Sequence, residues 1–75
     1  MANMEMNWND DESEAEVIVK GEVIGTIAYR EYANVYGRKY KRWSWIGNTL
    51  NVWREAEQDT WHKARQELLY WWLSQ

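Results

Sequence analysis

Cysteine is absent from the 75 residues, which excludes disulfides and thiolate metal sites. A single histidine, His62, leaves little for zinc, which takes several Cys or His ligands. Proline is absent, so no Pro-built linker divides the chain. The four glycines (Gly21, Gly25, Gly37 and Gly47) form neither a GxGxxG fingerprint nor a P-loop, and each reads as a turn or bulge residue. No apolar run approaches the about 20 residues that a membrane span needs. The first residues, Met1-Ala2-Asn3-Met4-Glu5, carry neither a basic nor an apolar segment, so no signal peptide is expected. A soluble, cytoplasmic protein without membrane association is the expectation.

The chain is instead rich in aromatics, with seven Trp, five Tyr and no Phe. One domain of this length buries proportionally little surface. A few Trp rings, each removing about 150–250 Å² from water, can make up for that. Seven exceed what one small core needs, so some are expected at the surface, where Trp and Tyr anchor partners. Charge is segregated. Residues 1–36 hold eight acids and two bases, and residues 37–75 hold four acids and seven bases. Such asymmetry marks partner surfaces or a solvated tail.

Trp43–Trp53 reads as a tight hairpin around Gly47-Asn48, a pair suited to a two-residue turn. In that register Ile46 faces Thr49, Trp45 faces Leu50, Ser44 faces Asn51 and Trp43 faces Val52. Alternation then places Trp43, Trp45, Leu50 and Val52 on one face. Strands are predicted at Glu14–Val19, Glu22–Tyr32, Arg38–Ile46 and Thr49–Arg54. Gly25 inside the second signals a bulge or a close backbone approach. Both Val23 and Ile24 are apolar, so which of them faces inward is open.

A helix is predicted over Thr60–Leu73 with Asp59 as N-cap. At about 100° per residue, Trp61, Ala64, Leu68 and Trp72 form its apolar stripe, with Leu69 and Trp71 at the edges. Lys63, Gln66, Glu67 and Tyr70 fall opposite, and Asp59–Lys63 and Lys63–Glu67 are spaced as ion pairs. A helix starting near Leu50 is the rival reading. The fold class is therefore α+β: a four-stranded antiparallel β-meander with one C-terminal helix packed across one face. Residues 1–13 read as an acidic, flexible tail and 14–75 as the domain. Met4, Met6 and Trp8 nevertheless alternate as in a strand, and Trp8 could dock, pair or anchor a partner. The predicted core is Val17, Val19, Ile24, Ile27, Trp43, Trp45, Leu50, Val52, Trp61, Ala64, Leu68 and Trp72.

Catalytic candidates are few. A triad would need His62 with Ser13, Ser44 or Ser74, none of them in a nucleophile elbow. Glu55 and Glu57 on a connector read as solvated acids. The chain is expected to be non-catalytic and to need no cofactor or metal. Arg38, Lys39, Lys41 and Arg42, interleaved with Tyr40, Trp43 and Trp45, could bind phosphates and stack bases. Lysines on a sheet also guard it against aggregation. The aromatics left outside the predicted core, Trp8, Tyr36, Tyr40, Trp53 and Trp71, are candidate partner anchors. Asp10, Asp11 and Glu12 begin an acidic segment that could present carboxylates where phosphates would lie in a partner's groove.

The order of elements is similar to the sheet-plus-helix DNA-binding domains of phage integrases, although the fourth strand departs from that pattern. Gly21-Glu22-Val23-Ile24-Gly25-Thr26-Ile27, Lys41-Arg42-Trp43 and the Trp-rich terminal helix together resemble small phage and prophage accessory proteins over residues 14–73. That resemblance implies a non-enzymatic inhibitor of a host defence complex, of anti-CRISPR type, acting by steric or electrostatic blockade. A WW-type peptide-binding module is excluded, because that family needs a proline. Three readings stand: a protein-binding accessory, a sheet-based nucleic-acid binder using residues 38–42, and a homodimer burying a face made of Tyr40, Ile46 and Trp53.

Overall fold

Alternating apolar residues build an antiparallel sheet whose inner face is roofed by one helix, as seen in a computed structural model that describes residues 4–75. The strands are β1 (Met4–Trp8), β2 (Glu14–Val19), β3 (Glu22–Ala33), β4 (Lys39–Gly47) and β5 (Arg54–Glu55), followed by α1 (Trp61–Leu73). Strand order follows the chain, β1-β2-β3-β4-β5, so the sheet is a meander of five strands rather than four. Residues 1–3 of the expected tail lie outside the described residues.

The additional strand comes from the segment read as a tail. Met4, Met6 and Trp8 stand opposite Val19, Val17 and Ala15 and pack against the buried core. Their two-residue period supplies one more apolar row, which outweighs the polar residues between them.

The β2–β3 register shifts between Val17 and Ile18, where Val17 pairs with Gly25 and Ile18 with Val23. Ile24 is thus the extra residue of a bulge. It turns fully inward, while Val23 is 39% exposed, which decides the open choice between them. Val17, Val19, Ile24, Ile27, Trp45, Ala64 and Leu68 of the predicted core are buried, joined by Ala15, Ala28 and Ala56. Trp43, Leu50, Trp61 and Trp72 are half-buried against this cluster.

The predicted hairpin at Gly47-Asn48 does not form. Asn48 instead bonds to the start of β3, its N–H to the Ile24 carbonyl and its side-chain amide to the Val23 carbonyl, both at 3.0 Å. The chain then leaves the sheet and returns only at β5, where Arg54 pairs with Trp45 and Glu55 with Ser44. Val52, outside the sheet, is 66% exposed instead of buried.

The helix begins one residue later than predicted and far from Leu50. Thr60 is the N-cap, its hydroxyl accepting the Lys63 N–H at 3.1 Å. Asp59 is diverted, its Oδ1 accepting the Trp43 N–H at 2.8 Å. Glu67 is diverted too. It leaves the solvent face to accept the Trp45 indole N–H at 3.1 Å and the Glu57 N–H at 2.7 Å. Neither predicted helical ion pair forms among the described residues. The described ion pairs are Lys39–Glu31 and Arg42–Glu55.

Helix and sheet meet over two glycines that face each other across β3 and β4, Gly25 and Gly47. A Cβ on Gly25 would lie 2.3 Å from the Ile46 carbonyl oxygen and 2.7 Å from Leu68 Cδ1. A Cβ on Gly47 would lie 2.3 Å from the Trp71 ring. Gly25→Ala is therefore expected to destabilise the fold by about 1–3 kcal/mol, the usual range for overpacking. For a domain of this size each kcal/mol lowers Tm by about 4–8 °C. Thermal unfolding followed by near-ultraviolet circular dichroism measures this, and an unchanged Tm would contradict the close approach.

Candidate functional site

The longest strands outrun their neighbours. β2 stops at Glu14, opposite Ala28, with one further bond from the Tyr29 N–H to the Ser13 carbonyl. β5 stops at Glu55, opposite Ser44. Beyond those points Arg30–Ala33 and Lys39–Arg42 continue as a two-stranded arm past the start of α1, in a molecule 44 Å long.

The tip of the arm is an ordered turn. The Gly37 N–H donates to the Asn34 carbonyl at 3.0 Å, and the Asn34 N–H donates to the Arg38 carbonyl at 2.9 Å. Asn34 Oδ1 accepts from the Tyr36 and Arg38 N–H groups at 2.9 and 3.0 Å. Gly37, at φ 79, supplies the left-handed residue that a three-residue hairpin loop requires. The turn thereby holds Val35 and Tyr36, 92% and 87% exposed, at the end of the arm.

Residues 30–42 hold five bases and one acid. Alternation splits them between faces. Lys39 and Lys41 share the helix-side face with Glu31, and Arg42 stands opposite Arg30 on the other. The four basic residues read together in the sequence are thus not one patch. Arg42 is also committed to the fold. Its Nε and Nη2 donate to the Ala56 carbonyl at 3.1 and 3.0 Å, and Nη2 donates to the Glu57 carbonyl at 2.8 Å. Tyr40 stacks on Tyr32 with ring centroids 5.6 Å apart and donates its hydroxyl to Glu55 at 3.0 Å. Burial and that carboxylate raise the Tyr40 phenol above its ordinary pKa.

Asp10, Asp11 and Glu12 lie on the β1–β2 turn, at the same end of the sheet as the arm because Ser13 neighbours Tyr29. Asn9 Oδ1 organises this turn by accepting the Ser13 and Glu14 N–H groups at 3.0 and 3.1 Å. The Ser13 hydroxyl donates to Asp11 at 2.8 Å, and that bond holds the Asp11 carboxyl below its ordinary pKa.

The other candidate anchors are packed. Trp8 meets Trp43 and Trp61 edge-on, with centroids 6.1 and 5.4 Å away. Trp71 lies against Trp45 and over Gly47. Trp53 receives the Arg30 guanidinium at 4.4 Å from its ring centroid. Of the aromatics proposed as anchors, Tyr36 alone projects freely. Val35 and Arg30 were not singled out from the sequence, although Asn34 and Gly37, three apart, carried the turn signal.

His62 stacks on Trp61 at 3.7 Å, and the three serines proposed to accompany it are otherwise engaged. Ser13 donates to Asp11, Ser74 to the Trp71 carbonyl, and buried Ser44 bonds Tyr32 and the Arg42 carbonyl. An open groove of about 410 Å³ beside the helix carries His62, Lys63 and Arg65 and no carboxylate. Among the described residues no three His, Cys, Asp or Glu side chains converge as metal ligands. No described helix is long and apolar enough to cross a membrane. Comparison with protein-family models, curated proteins and solved structures returns no match.

The Asp11 shift has a sign. A depressed carboxyl pKa stabilises the fold above the unfolded value and ceases to do so as pH falls through the folded one. Ser13→Ala is expected to move the Asp11 titration upward, read from its side-chain carbon shifts by NMR. An unmoved titration would refute the hydroxyl as the cause.

Arg42→Ala is expected to cost about 1–3 kcal/mol, since it strands carbonyls held by a charged donor. It should also speed amide exchange at Ala56 and Glu57. Wild-type exchange there would mean that the guanidinium does not hold this segment.

Proposed function

We propose that the protein is a non-catalytic protein-binding accessory that grips its partner with the β3–β4 arm and acts by steric or electrostatic blockade. The observation that carries this reading is the tip, where an ordered turn holds Val35 and Tyr36 almost wholly in solvent. A rigid turn presents an aromatic anchor at little entropic cost on binding. The acidic turn and the basic arm at one end of the sheet supply charges of both signs around that anchor, which favours orientation and specificity. The host-inhibitor role implied by the phage-protein resemblance is one form that such blockade could take.

The nucleic-acid reading is second. Lys39 and Lys41 lie on one exposed face beside Tyr29, which supports it, while Arg42 is engaged with the Ala56 and Glu57 carbonyls. The homodimer reading is third: on the face of the sheet away from the helix, Tyr40 stacks on Tyr32 and Trp53 receives Arg30, which engages part of the surface a second copy would cover.

Capture by the immobilised domain tests the first reading. Val35→Asp with Tyr36→Asp should abolish capture of a specific protein while leaving Tm within about 2 °C, since both side chains stand in solvent. Capture that survives the double substitution overturns the arm as the site. Salt-sensitive binding of short oligonucleotides, lost in Lys39→Ala with Lys41→Ala, would replace this reading with the second.

A further inference from the structure

The arm has an open edge. On the side of β4 away from β3, the Trp43 N–H is taken by Asp59 Oδ1 and the Trp43 carbonyl by the Ala56 N–H. Backbone groups of alternate residues point the same way, so Lys41 and Lys39 direct their N–H and C=O outward as well. Among the described residues β5 pairs only with Ser44 and Trp45, and on the side away from β3 no strand lies beside Lys39–Arg42.

We propose that this edge receives an extended acidic segment of a partner protein as an added strand, hydrogen-bonded to the outward groups of Lys39 and Lys41. The proposal rests on the protein-binding reading above and names the partner's chemistry.

Charge selects the occupant. Side chains of an added strand would stand about 4.5–5.5 Å from those of Lys39 and Lys41, so acids gain and bases lose there. A second copy joining through its own β4 would set lysines against lysines. The fold already places a carboxylate, Asp59, at the first outward N–H of the row, 2.8 Å from the Trp43 nitrogen. The one acid on the arm, Glu31, reaches Lys39 only at 3.8 Å with both side chains largely exposed, a pair that a better-placed carboxylate displaces. Strand addition uses main-chain bonds for affinity and alternate side chains for choice, and this edge offers both.

The test uses the whole chain with two labelled peptides, one of alternating Glu and Val and one of alternating Lys and Val. The Glu peptide is expected to bind and to slow amide exchange at Lys39 and Lys41 about tenfold or more, and the Lys peptide to do neither. Lys41→Pro removes an outward N–H without taking a bond from β3, and should weaken the Glu peptide about tenfold or more. If proline unfolds the arm, seen as loss of the Tyr32–Tyr40 ring contact, exchange in the unsubstituted chain decides the matter. Failure of the Glu peptide to bind overturns the proposal, as does binding that leaves both amides unprotected. If capture still depends on Val35 and Tyr36 in that event, strand addition alone has failed. If it does not, the protein-binding reading has failed with it.

Discussion

The seating of α1 on the Gly25–Gly47 pair governs much else in this molecule. Leu68 and Trp71 descend to the backbone of β3 and β4 because neither strand carries a Cβ at that crossing. Close approach lets a helix of 13 residues and strands of modest length exclude water without a larger core. It fixes where the helix ends over the sheet, and therefore that its first residue, Trp61, meets Trp8, whose ring also meets Trp43. The same crossing takes Trp71 out of the set of surface aromatics.

From that seat the polar groups follow. With the helix over β3 and β4, Glu67 reaches back to the Trp45 indole and to the Glu57 N–H, tying the connector to the sheet rim. Arg42 clamps the same connector from the other face through the Ala56 and Glu57 carbonyls. Asp59 closes the outward N–H of Trp43 where β5 has already ended. Three charged residues, Glu67, Arg42 and Asp59, are thus structural. Charge-assisted bonds to backbone are stronger than neutral ones and suit a short connector with little apolar surface. What the clamp leaves unpaired is the portion of β4 beyond it, which is the source of the arm and of its open edge.

The arm extends beyond the core and is tied to it at its base, through the Tyr32 hydroxyl on Ser44, the Tyr40 hydroxyl on Glu55 and Arg30 on Trp53. A two-stranded ribbon is marginal alone, so the stacked Tyr32–Tyr40 pair and the Asn34-centred turn must hold it. The proposed recognition on such an element would leave the core free of functional constraint. Both charge poles come to one end because the β1–β2 turn and the β3–β4 arm point the same way in a meander. The bond from the Tyr29 N–H to the Ser13 carbonyl brings the acidic turn to the base of the arm with no special device.

What the amino-acid sequence determined by itself is local. Period-two patterning marked β2, β3 and most of β4. The Trp61–Ala64–Leu68 spacing marked the helix, and Gly25 marked a close approach. These signals survive because each depends on neighbours within a few residues. Tertiary structure decided the remainder. Gly47-Asn48 carries sound turn chemistry, yet Asn48 found the Ile24 and Val23 carbonyls across the sheet, and the hairpin register was lost. Met4, Met6 and Trp8 alternate as in a strand within an otherwise tail-like segment, and β2's edge and the Trp61 ring decided that they pair and pack. Which tryptophans are buried, which charges are tethered and which edge is open are properties of contacts between residues distant in the chain. Composition counts such residues, and only the folded chain pairs them.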